Sequence, residues 1–290
     1  MLRLCWSTLG RATPHLLGAF VVTGVALVAV TGIVAARLLG DWDLLGLRDL
    51  YTPNEYWDAG WSGSVDLVRD RLWARAGDSG RDLGRDVVVA WAVWFVIGAW
   101  CQAYAVAAVA SRARREPAGV RTLAGRAARA APRLALVWAG VTLVVWALVW
   151  LPVRVAASAS WLIAAPVAML ATGVAVVLLS RLLLVPVAAV EAHGHRFGAG
   201  GWRCLRDGWR NIDRRWAMTL GRSLVVATPL VVPALGVGVL LVVLALSALQ
   251  IQLAIAFAML SVVMLVTIGA ASAASVWYVS TGADGVRPLP

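Results

Sequence analysis

Apolar residues gather along this chain into six long runs, parted by polar and arginine-rich stretches. The runs cover about 16–39, 87–110, 134–153, 161–185, 217–246 and 249–280. Each reaches the roughly 20 residues a helix needs to cross a hydrocarbon core about 30 Å thick. Backbone N–H and C=O groups cannot stay unpaired in lipid, so the runs are expected to be helices. The expected fold is all-α: a polytopic membrane protein with six transmembrane helices in a single membrane domain over 1–290. The first run follows Arg3 and Arg11 and ends near Val34-Ala35-Ala36, which is also the outline of a cleaved signal peptide. Its apolar stretch is longer than a signal core, and it belongs to the repeat described next, so it is read as a retained span.

Three polar stretches that enter a run share one pattern. Apolar or small residues fall at i, i+3, i+7, i+10 and i+14, the stripe of an amphipathic helix. The first copy is Leu2, Cys5, Leu9, Ala12 and Leu16. The second is Val120, Leu123, Ala127, Ala130 and Leu134, and the third Trp202, Leu205, Trp209, Ile212 and Trp216. Arg3 matches Arg121 and Arg203; Arg11 matches Arg129; Pro14 matches Pro132. The sequence therefore reads as three hairpins, each preceded by an amphipathic helix lying in the headgroup region. In the third copy the three tryptophans favour the membrane–water boundary. Arg203, Arg206, Arg210 and Arg214 fall off that stripe and are candidates for contact with anionic lipid.

Charge orients the expected bundle. Segment 111–133 has seven arginines against Glu116 alone, and 181–222 has eight against Glu191, Asp207 and Asp213. Segment 40–86 has ten acids against six arginines. Arginine-rich connections stay inside, so the cytoplasmic amphipathic helices are placed at 111–133 and 186–216, with both termini in the cytoplasm. The acidic 40–86 loop is placed outside, at a cell membrane. It contains Trp42, Trp57, Trp61 and Trp73, and Ser64 can cap a helix over 65–76, which suggests a small helical lid.

Composition agrees with lipid as the main solvent: 61% of residues are hydrophobic and 14% charged. All 26 basic residues are arginine. They lie beside apolar runs instead of forming a basic face on a polar domain, so no nucleic-acid partner is expected. Cys5, Cys101 and Cys204 are odd in number and scattered, which suits free thiols better than a disulfide framework.

No catalytic, cofactor or metal site is legible. His193 and His195 stand near Glu191 as His-x-His, but a third ligand is missing, so a polar loop is expected there. Asp207-Gly208 with Arg210 and Asp213 opens like a CDP-alcohol phosphotransferase motif, whose later glycine and paired aspartates are absent. There is no Gly-x-Ser-x-Gly, Walker loop or HExxH. The histidines fall outside the runs, and mid-span charge is nearly absent. Gln102, Tyr104, Gln250, Gln252, Thr142, Thr267, Ser272 and Ser275 are expected to hydrogen-bond between helices. Pro229 and Pro233 are expected to kink the fifth span or break its ladder. Arg181 and Glu191 are expected to pair across Pro186 as a brace at the inner face.

The stretch from Ser180 to Gly221 resembles the membrane domain of glycerophosphoryl diester phosphodiesterases. Its carriers are Arg181, Pro186, Glu191 and Trp209, and 111–138 is similar to that family's earlier cytoplasmic helix. His193-Gly194-His195 and Arg215 depart from the pattern. The resemblance implies six spans over nearly the whole chain. The family's catalytic domain is not in this sequence, so the hydrolase activity is not expected to carry over. The expected role is non-enzymatic, lipid-interacting or envelope-associated, with membrane lipids as partners. One alternative is the permease subunit of an ABC-type exporter, which would require a separate ATPase subunit and a coupling helix at 198–216. A second is a lipid-acting membrane enzyme using Glu191, His193 and His195.

Overall fold

A computed structural model describes residues 1–39, 82–116, 118–158, 184–191, 216–247 and 251–281, with parts of 166–178, Leu182 and Arg206. Six helices are delimited among the described residues. They are α1 (Leu2–Leu39), α2 (Asp82–Ala113), α3 (Val120–Ser158), α4 (Val185–Glu191), α5 (Trp216–Ser247) and α6 (Ile251–Thr281). No strand occurs among the described residues. Five stretches are long and apolar enough to cross a membrane: Leu2–Ile33, Ala92–Ala113, Val120–Val144, Met218–Ala245 and Ala256–Ser280. They overlap five of the six runs, the third only over 134–144. The run at 161–185 lies largely outside the described residues, although 169–174 are helical. The outer loop, with its expected helix at 65–76, also lies outside them, as does the third amphipathic copy except Arg206 and Trp216.

The expected division between an amphipathic helix and a following span is absent from α1 and α3. Each is one helix through its proline, Pro14 in α1 and Pro132 in α3. Likewise α5 continues through Pro229 and Pro233. A proline removes one donor from the ladder, and long apolar helices absorb that loss without ending.

The chain forms two compact units. One comprises Met1–Ala19, Gly98–Val231 and Leu265–Pro290; the other comprises Phe20–Ile97 and Val232–Met264. Nineteen of the 26 arginines fall in the first, against five acids, while the second has seven arginines and ten acids.

In the arginine-rich unit the amphipathic stripes are core. Cys5, Leu9, Ala12 and Leu16 are buried, and so are Leu123, Ala127, Ala130 and Leu134. Leu2 and Val120, the first position of each copy, are exposed. The period was legible in the sequence; the surface it meets is protein. Every residue from Cys101 to Ser111 on α2 is buried, as is every residue from Ala270 to Val276 on α6. Such all-round burial suits small side chains, which let backbones approach closely. Hydrogen bonds tie these helices together. Trp138 Nε1 on α3 donates to Gln102 Oε1 on α2 at 2.7 Å. Cys5 Sγ on α1 donates weakly to the Ser275 carbonyl on α6 at 3.9 Å. Helix α3 packs against α4.

The expectation for the hydroxyls changes. Ser275 Oγ donates to its own helix, at the Ser272 carbonyl, and the Thr267 and Ser272 hydroxyls are buried without a partner. The side chains of Gln250 and Gln252 lie outside the described residues.

In the acid-rich unit, the packing is helix on helix at glycines. A Cβ on Gly238 of α5 would fall 2.3 Å from Ser261 Oγ of α6, and one on Gly24 of α1 would fall 3.2 Å from Leu260. Large apolar side chains such as Val21, Val25 and Val239 are exposed, as expected of surface that faces lipid.

Candidate functional site

The densest polar cluster described lies in the arginine-rich unit, where α2 stops. The helix ends in a Schellman-type turn: Arg115 N–H bonds the Arg112 carbonyl at 3.3 Å, and Glu116 N–H bonds the Ser111 carbonyl at 3.0 Å. Arg115 is left-handed, with φ of 57°. Ser111 Oγ donates to the Glu116 carbonyl at 2.5 Å and closes the turn. A left-handed non-glycine residue costs about 1–2 kcal/mol. Arg115→Gly is therefore expected to raise thermal stability by about 1 kcal/mol, measured by unfolding in detergent. No gain would mean that the Arg115 side chain compensates for its backbone.

This turn aims Arg114 at Glu191, the last residue of α4. Helix α4 is seated by the buried Val185, Pro186, Val187 and Ala189, and Pro186 fits a first turn, where no backbone donor is needed. Arg114 Nη2 donates to Glu191 Oε2 at 2.8 Å. Tyr278 Oη, on α6, donates to the other oxygen, Oε1, at 2.5 Å. The Arg114 guanidinium also stands 5.5 Å from the centroid of the Tyr278 ring. Guanidinium, carboxylate and phenol thus form a closed triangle. The Glu191 hydrogen bond is the main cause holding the Arg114 pKa above its ordinary value; partial burial opposes it. Arg126 approaches Glu116 at 3.9 Å, an exposed pair of little weight.

A second polar group joins α1 to α2. Arg112 Nη2 lies 3.0 Å from His15 Nε2, and His15 Nδ1 lies 3.3 Å from Tyr104 Oη. Arginine only donates, so Nε2 accepts and the proton sits on Nδ1, which donates to Tyr104. Trp100 stacks on Tyr104 at 5.3 Å.

These groups differ from those expected. Glu191 was expected to pair with Arg181 across Pro186. Its described partners are Arg114 and Tyr278; Arg181 lies outside the described residues. Arg206 is exposed, while Arg203, Arg210, Arg214, His193, His195 and Cys204 lie outside the described residues. Cys5 and Cys101 are both buried. His15, expected outside the spans, stands in the candidate span Leu2–Ile33. No group of three or more His, Cys, Asp or Glu able to hold a metal forms among the described residues. The sequence signal that was missed is the position of His15 and Arg112, each at the polar end of an apolar run.

Chemically, the triangle joins segments 77 and 87 positions apart and engages both carboxylate oxygens of Glu191. No family model matches the chain, and neither a curated protein nor a solved structure matches it.

Proposed function

We propose that this protein is a non-enzymatic, multi-pass protein of the cell membrane that gathers anionic lipid headgroups on the arginine faces of its helix ends. In this reading it has six spans and both termini are cytoplasmic. One observation carries it: beyond Leu2 and Val120 the apolar stripes of α1 and α3 are buried in protein, while Arg3, Arg11, Arg121 and Arg129 are exposed beside them. None of these four forms an ion pair among the described residues.

Length supports the placement. At 1.5 Å per residue, the 38 residues of α1 span about 57 Å, nearly twice the hydrocarbon thickness. The 39 residues of α3 span about 58 Å. The arginine-bearing ends therefore extend through the headgroups as continuations of the spans. Near an anionic surface each arginine contributes about 1 kcal/mol. The third copy, with Arg203, Arg206, Arg210 and Arg214, would extend the same basic layer.

The test is lipid enrichment. Reconstituted in nanodiscs of mixed phosphatidylcholine and phosphatidylglycerol, the wild type should retain phosphatidylglycerol several-fold above its bulk share. The variant with Arg3, Arg11, Arg121 and Arg129 all changed to Gln should lose most of that excess. A wild-type ratio equal to the bulk mixture would overturn the reading. The permease alternative depends on a coupling helix at 198–216, almost all of it outside the described residues. The enzyme alternative would require Glu191 as a reactive group, yet Glu191 is bonded to a guanidinium and a phenol.

A further inference from the structure

We propose that Arg112, oriented by His15, forms a discrete site for the phosphodiester of an anionic phospholipid. The inference rests on the lipid-binding reading and sharpens it from a diffuse layer to one address.

Arg112 is exposed and lies one residue before the end of the candidate span Ala92–Ala113. His15 lies just before the apolar run that begins at Leu16, so both residues mark the polar end of an apolar stretch. In the proposed placement, with the basic helix ends extending past the hydrocarbon, that is headgroup depth. Two carboxylates are described in the arginine-rich unit, and each faces another arginine: Glu191 faces Arg114 and Glu116 faces Arg126. Arg112 instead meets a neutral imidazole. Its Nη2 donates to His15 Nε2, and the ring is fixed on its other side by Tyr104. A guanidinium has five N–H donors, so this contact aims the fork and leaves donors over. The charge at that depth is left without a protein counter-charge among the described residues, and a phosphodiester supplies both the charge and two oxygens for a bidentate fit.

Arg112 would contact the phosphate; His15 is a positioning residue. The experiment is native mass spectrometry of the full chain titrated with phosphatidylglycerol, at a salt concentration that screens diffuse attraction. The wild type is expected to show one saturable lipid. Arg112→Gln should weaken it by about tenfold or more, the scale of one hydrogen bond to a charged group. Arg112→Lys keeps the charge, gives up the planar fork, and should also weaken it. His15→Leu should weaken it with Arg112 intact, and His15→Gln, whose amide oxygen can accept from Arg112, should restore most of it. The four-arginine variant above should keep the saturable lipid.

Several results would overturn the proposal. Saturable binding unchanged in Arg112→Gln but lost in the four-arginine variant removes this site and leaves the broader reading standing. No anionic preference in the wild type removes both. Equal loss in His15→Leu and His15→Gln contradicts the positioning role. Saturable binding of inorganic phosphate that depends on Arg112 would assign the site to a soluble anion instead.

Discussion

Glu191→Ala is expected to lower stability by about 2–4 kcal/mol, the largest effect of any single charge removal among the described residues. The change strips Arg114 and Tyr278 of their shared acceptor at one stroke. A hydrogen bond to a charged group contributes about 1.5–3 kcal/mol, and deleting one partner of a buried pair costs about 3–5. The side chains of Arg114 and Glu191 are 28% and 32% exposed, which places the expected loss between those ranges. Tyr278 is buried, so its hydroxyl has no easy recourse to water. Glu191→Gln should cost less, because the amide oxygen can still accept from Tyr278. Arg114→Ala combined with Glu191→Ala should cost less than the two single losses added together, since contacting partners are not independent. Thermal unfolding of the purified protein in detergent reads all four. If Glu191→Ala melts with the wild type, the triangle is not a stabilising element.

Gly238→Leu should be comparably damaging in the other unit. Even the first added atom would lie 2.3 Å from Ser261 Oγ and 3.0 Å from its Cβ. Ser261 is not free to turn without loss, because its hydroxyl donates to the Phe257 carbonyl at 2.7 Å. Overpacking of this kind costs about 1–3 kcal/mol, and four added carbons place the change at the upper end. Ser261→Gly opens the space a Cβ would need, so it should recover part of the loss from Gly238→Ala and less from Gly238→Leu. Helix association in lipid depends on close packing, so unfolding in detergent and retention of the folded form after reconstitution should move together. Full tolerance of leucine would mean that α5 and α6 part readily at this level.

How much of this was legible in the sequence can be judged residue by residue. Hydropathy located five apolar helices, because length and apolarity are local properties. The stripe Cys5, Leu9, Ala12 and Leu16 was read as one face, and its twin at Leu123, Ala127, Ala130 and Leu134 as another. Periodicity reports which residues share a face and is silent about what covers it. Lipid headgroups were expected, and packed helices were found. Helices α2 and α6 gave no such signal over Cys101–Ser111 and Ala270–Val276, because a stretch apolar on every side has no preferred face. The candidate site was half legible. Glu191 stood out as an acid in a basic segment. Its partners Arg114 and Tyr278 lie 77 and 87 positions away, beyond any helical period. His15 escaped notice for a different reason. A lone histidine beside an apolar run resembles a flank until Arg112, 97 positions on, is brought to it.

The alanines at the centre of the arginine-rich unit bear on how that unit responds to heat. Between Cys101 and Ser111 five residues are alanine, and between Ala270 and Val276 four are. Burying alanine freezes no rotamer, whereas a long side chain such as methionine gives up about 1.5–2 kcal/mol of rotational freedom. The interior around Arg114, Glu191 and Tyr278 is thus ordered at little side-chain entropy. Warming it releases correspondingly little rotational disorder, so the surroundings of the triangle should remain well defined up to the temperature at which the helices themselves separate.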